Sequence, residues 1–129
     1  MGRIIAQVKI SNPLDQGKDF EFSALVDTGA SYLTLPTQWK EKLGQFSLSQ
    51  KTRVILGDES AIEGEICGPV QVEVDQFRPI HTEVLFIPMQ PQEDGKYQPL
   101  LGYIPLESIP VAVDMLGHGL VAVKGVDCK

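Results

Sequence analysis

Ile4, Ala6, Val8 and Ile10 recur at every second position of residues 3–10, the period of a strand with one buried face. Residues 12–17 gather turn formers, and residues 20–26 read as the return strand of a hairpin. Residues 33–35 restart an apolar segment that ends at Pro36. Thr37 is placed to cap a short helix through Leu43, with Gly44 to end it and Trp39 and Leu43 sharing its inner face. Residues 52–56 and 61–66 are β-favouring segments on either side of the polar tip Gly57-Asp58-Glu59-Ser60. Residues 70–74 alternate strictly and residues 83–87 make another strand. The stretch 88–99 holds three prolines and one glycine, which predicts an irregular, mobile loop. After Leu100-Leu101-Gly102, residues 104–109 fit about one helical turn with Pro105 near its start. Residues 110–115 and 120–124 read as strands around Gly117-His118-Gly119. The pattern predicts a mainly β chain with two short helices and no internal repeat.

A length of 129 residues suits one domain, 1–129, burying roughly two-thirds of the surface of its unfolded chain. The formal net charge of −6 argues against nucleic acid or an anionic membrane as partner, since both are held by clustered Lys and Arg. Lys40, Lys42, Lys51 and Arg53 come nearest to a basic cluster, but Glu41 interrupts it and a solvated face explains it. The opening residues 1–6 are too short an apolar stretch for a signal peptide, and Ala6 stands where a myristoylation signal has Ser or Thr. With no apolar run of membrane-spanning length, the chain is expected to be soluble and cytoplasmic. Cys67, after a predicted strand, and Cys128 are expected as free thiols. His81 and His118 stand apart from any ligand spacing, so neither a metal nor another cofactor is expected.

The chemistry concentrates at Ala24-Leu25-Val26-Asp27-Thr28-Gly29-Ala30, where an apolar run ends in an Asp-Thr-Gly that occurs once. This places a carboxylate at a strand-to-turn junction, and Gly29 supplies the freedom a tight turn needs. Taken alone, Asp27 also reads as a solvated turn residue. With Leu100-Leu101-Gly102 far downstream, however, the segment resembles the retropepsin-like aspartic proteases. Their active-site loop reads hydrophobic-hydrophobic-Asp-Thr/Ser-Gly-Ala/Ser, and a later hydrophobic-hydrophobic-Gly element braces it.

That resemblance covers nearly the whole chain and implies the retropepsin-like acid-protease fold, active as a twofold homodimer. In that family each chain brings one aspartate and catalysis uses two. Asp27 and its symmetry copy are implied as a dyad sharing one proton, at a separation of roughly 3 Å, that activates water against a peptide bond. Thr28 is implied to hydrogen-bond across the axis, Gly29 and Ala30 to shape the loop, and Leu100, Leu101 and Gly102 to pack behind it. Gly57, Asp58, Glu59 and Ser60 correspond to the tip of a flap closing over substrate, with Gly57 and Gly64 supplying flexibility; an ordinary surface hairpin is the alternative. The implied activity is that of an aspartic endopeptidase acting on peptide or unfolded protein segments. The alternative is a peptide-binding or dimerisation module of the same fold without efficient hydrolysis. Retroviral members place Asp after Asp-Thr-Gly-Ala and Arg after the later glycine, a pair that helps hold their dimers. Ser31 and Tyr103 stand there in this chain, a pattern closer to bacterial and cellular members.

Overall fold

In the computed structural model, which describes residues 3–123, strand β1 (Ile5–Ser11) buries Ala6, Val8 and Ile10 and turns Ile5, Gln7 and Lys9 outward, as its alternation requires. It pairs antiparallel with β2 (Asp19–Val26), from Ile5 opposite Leu25 to Ser11 opposite Asp19. The turn between them is pinned from inside. Asn12, only 3% exposed, donates its side-chain amide to the carbonyls of Leu43 and Gln45 at 2.6 Å each. Its side-chain oxygen accepts from the Leu14 N–H at 3.0 Å. A buried amide satisfied in this way welds the first hairpin to the end of the first helix.

That helix, Thr37–Leu43, follows the wholly buried strand β3 (Leu33–Pro36) and is a 3-10 helix that ends at Gly44, whose φ is +75°. Thr37 is its first residue and not its cap: Pro36 occupies the cap position and has no side-chain acceptor to offer. Leu43 faces the core, while Trp39 lies partly buried against Phe20, Phe22 and Tyr97.

Strands β4 (Leu48–Ile55) and β5 (Ala61–Val74) form a long hairpin, and β5 continues past it. Residues 61–66 and 70–74, separate in the sequence reading, are one strand. A register shift between Cys67 and Val70 takes up Gly68 and Pro69 as a bulge, so the strand bends where a break was expected. Cys67 is therefore inside a strand and fully buried, with its thiol free; Cys128 lies outside the described residues. Beyond the bulge β5 pairs with β1, and β6 (Ile80–Ile87) pairs with β5 on one side and β3 on the other. With the two-residue β7 (Leu100–Leu101), the order β1-β2-β7-β3-β6-β5 closes on itself through β1 and β5, leaving β4 outside the ring. Leu33, Leu35, Val70, Val72, Val84, Phe86 and Leu101 fill the interior.

Helix α1 (Tyr103–Ser108) follows, then an antiparallel pair, β8 (Val111–Asp114) and β9 (Gly119–Ala122). Lys124, expected to end the last strand, lies outside the described residues. The stretch 88–99 is irregular as expected, with a turn in which the Gln92 N–H donates to the Lys96 carbonyl at 2.9 Å.

Candidate active site

Asp27 sits where three strands converge. β7 runs parallel to β2, with Val26 opposite Leu101, and antiparallel to β3, with Leu33 also opposite Leu101. The Asp27 N–H donates to the Leu101 carbonyl at 3.0 Å, continuing the ladder by one residue before the chain turns. The Ala30 N–H returns to the Asp27 carbonyl at 3.0 Å, and the Gly29 N–H donates to the Asp27 carboxylate at 2.9 Å. The carboxylate is thus fixed by its own loop while its residue stays half-buried.

The loop is gripped from behind by the segment after β7. The N–H groups of Gly102, Tyr103 and Ile104 donate to the carbonyls of Tyr32, Ala30 and Ser31 at 3.1, 2.9 and 2.9 Å. Gly102 must be glycine: a Cβ there would lie 2.6 Å from the Ser31 carbonyl carbon and oxygen and from the Tyr32 oxygen. Leu101 is wholly buried and Leu100 half-buried, whereas Thr28 and Gly29 are exposed beside the carboxylate and Ala30 is half-buried. Ser31 and Tyr103, the positions that depart from the retroviral pattern, lie on the two sides of this grip.

Asp27 opens onto a groove of about 500 Å3, a volume within the range of ligand sites. On Asp27's side it is walled by residues 29–32 and Thr34, with Leu100, Ile66, Leu85 and Ile87 beneath. The rest of the lining is the consecutive run Thr52-Arg53-Val54-Ile55-Leu56-Gly57, the end of edge strand β4 and the start of the turn after it. No sequence signal marks Tyr32, Ile66, Leu85 and Ile87 as groove residues, because alternation identifies a strand's faces but not what each face meets.

Of the expected tip residues, Gly57 lines the groove and Asp58, Glu59 and Ser60 lie outside its lining. The tip is a tight turn in which the Glu59 N–H donates to the Leu56 carbonyl at 2.9 Å and the Leu56 N–H to the Ser60 carbonyl at 2.8 Å. Asp58 accepts from the Ser60 hydroxyl and, at 3.0 Å, from the Ser60 N–H, which holds its carboxyl below the usual carboxylate range. The residue in the left-handed region is Glu59, with φ of +68°. The two glycines expected to supply flexibility differ in setting. Gly57 has open space around it and no positive φ, and Gly64 is a packing position whose Cβ would meet the Phe86 oxygen and Val54 at 3.0 Å.

A family model for aspartyl proteases matches residues 6–103, a span that includes both the Asp27 loop and Gly102. The chain belongs to the aspartyl protease family. Among solved structures it is similar to the EIAV protease complexed with the inhibitor HBY-793, with a TM-score of 0.56 and 21% identity over 82% of this chain and 85% of that one. The likeness is one of fold, and it makes the mainly β ring with two short helices a retropepsin-like fold. No curated protein sequence matches the chain.

As an aspartic-type endopeptidase, this protein hydrolyses peptide bonds. Among the described residues, no helix is long and apolar enough to cross a membrane.

Proposed function

We propose that this aspartyl protease works as a twofold homodimer in which Asp27 of each copy supplies half of the catalytic dyad. The observation that carries this reading is the single, rigidly held Asp27 carboxylate facing a groove, in a chain that has one Asp-Thr-Gly. Two carboxylates brought together share one proton, so one removes a proton from water while the other donates to the carbonyl oxygen. Thr28, exposed beside Asp27, reaches across the axis, and Leu100, Leu101 and Gly102 hold the loop at its working geometry. Residues 1–129 act as one domain in this reading, built on the one barrel core.

The substrate is an extended peptide or an unfolded protein segment. The uncovered edge of β4 offers main-chain groups along one wall of the groove, and Val54, Ile66, Leu85 and Ile87 favour apolar side chains between. The hairpin 52–66 acts as a flap, with Gly57 over the substrate and Asp58, Glu59 and Ser60 shaping the turn that carries it.

Asp27→Asn tests the reading, because the amide keeps the shape but cannot take the proton. Hydrolysis of an apolar reporter peptide should vanish, mixed dimers with wild type should be inactive, and sedimentation should show a dimer at micromolar concentration. Turnover by a strictly monomeric form would overturn it. The absence of a charged pair at Ser31 and Tyr103 favours a second reading, a binding module that holds peptides without cutting them; peptide binding with no hydrolysis by the wild-type dimer would establish that one.

A further inference from the structure

The β4–β5 hairpin overhangs the groove from a definite point. β5 pairs with β6 from Glu65, opposite Phe86, onward, whereas residues 61–64 pair only with β4. Glu65 is therefore the last residue at which the hairpin is stitched to the barrel. At that residue two further contacts converge. Lys40, on the 3-10 helix, places its ammonium 2.6 Å from one Glu65 carboxylate oxygen, and the Ser49 hydroxyl on β4 donates to the other. Lys40 in turn belongs to the helix that Asn12 welds to the first hairpin and that Leu43 anchors in the core.

The second ion pair among the described residues, Lys51 with Glu63, lies farther out on the hairpin at 3.7 Å with both side chains about three-quarters exposed. Such a pair contributes little. Lys40 and Glu65 differ in being 34% and 25% exposed, in direct charge-assisted contact and in joining two elements.

We propose that Lys40, Glu65 and Ser49 form a clamp that fixes the fulcrum of the hairpin over Asp27, acting as positioning residues for substrate capture. The inference rests on the reading of the hairpin as a flap. Below the clamp the strand is held by the β6 ladder; above it, only β4 and the clamp restrain it. Gly64, one residue above, lies tight against the Phe86 carbonyl and Val54, so a tilt of the hairpin about Glu65 breaks that packing as one step. Loosening the clamp raises the population of open hairpin without altering the Asp27 loop, which lies on other strands. The cost falls on peptide binding and not on the chemical step.

The test uses Lys40→Met and Glu65→Gln in the full chain. KM for a reporter peptide should rise about fivefold with single-turnover rates at saturating peptide unchanged, the size expected from losing a partly shielded ion pair. Amide hydrogen exchange in residues 52–61 should accelerate by a similar factor, while exchange in β1 and β2 stays at the wild-type rate. Lys40→Arg and the exchanged pair Lys40→Glu with Glu65→Lys should restore both readouts. Unchanged exchange in the hairpin, or acceleration spread evenly over the barrel, would overturn the clamp. If no form hydrolyses peptide, wild type included, the catalytic reading fails, and the exchange data still decide the clamp.

Discussion

The main-chain N–H of Asp27 donates to the carbonyl oxygen of Leu101 at 3.0 Å, so the carboxylate takes its position from a two-residue strand that lies far downstream in the chain. That strand is held on both sides, by Val26 and by Leu33, and the same segment then grips the loop through Gly102. The aspartate's own turn and the brace behind it form one hydrogen-bonded unit.

Gly102→Ala should disrupt that unit. The new methyl would lie 2.6 Å from three main-chain atoms, none of which can swing away as a side chain can. A loss of about 1–3 kcal/mol in urea unfolding is expected, as for other overpacked sites, together with a fall in kcat because the backbone that must shift holds Asp27. Gly57→Ala, with open space around its Cβ, serves as the control and should stay within about 0.5 kcal/mol of wild type.

Glu59→Gly should tighten the hairpin tip. Glu59 occupies the left-handed position of a turn where glycine is at ease, and relief of that strain should outweigh glycine's extra freedom in the unfolded chain, for a net gain of up to about 1 kcal/mol. Slower amide exchange at Leu56 and Glu59, whose N–H groups close the turn, would be the direct readout. Deleting Asp58 and Glu59 together should raise KM more than it lowers the unfolding midpoint.

Peptidase activity should describe a bell in the acid to weakly acid range. The dyad must keep one shared proton, so activity falls on the alkaline side as that proton leaves and on the far acid side as both carboxyls fill. A pH–rate profile with an alkaline optimum would rule out a shared-proton dyad.

Acid should also release the hairpin. Hydrogen bonds from Lys40 and Ser49 hold the Glu65 carboxyl below its ordinary value of 4.5. A carboxyl depressed by folding contributes stabilisation that is complete above its unfolded value and is lost as pH falls through the lower, folded value. Hairpin protection against amide exchange, taken relative to the intrinsic exchange rate at each pH, should therefore be steady above about pH 4.5 and fall below it, and Glu65→Gln should flatten that curve.

How much of this was legible beforehand differs from residue to residue. The alternation of Ile4, Ala6, Val8 and Ile10 is a local signal and placed β1 correctly, and the apolar run before Asp27 placed the carboxylate at a strand end. Residues 61–74 were less legible, because Gly68-Pro69 is a break by local rules and becomes a bulge only when β6 and β1 are there to bridge it. Gly57 drew attention by composition, yet the positive φ fell to Glu59, since the closing hydrogen bonds and not the residue types fix which position of the turn is left-handed. The contact of Lys40 with Glu65 joins elements that meet only in the folded barrel, so no spacing rule could announce it.

Each strand of the ring of six has partners on two sides for at least part of its length, whereas β4 has β5 on one side and no strand on the other. A bare margin accepts any extended chain, including a strand from a neighbouring molecule, and this is the usual beginning of edge-to-edge aggregation. Here the margin runs alongside the groove, so the surface that would hold a peptide is also one open to edge-to-edge association. Lys51 and Arg53 are exposed on that strand, Lys51 paired loosely with Glu63 on β5, and charge on an edge strand disfavours a second copy laid alongside. A peptide held in the groove would lie along the same margin and cover it, so occupancy of the groove would also close the edge to other copies.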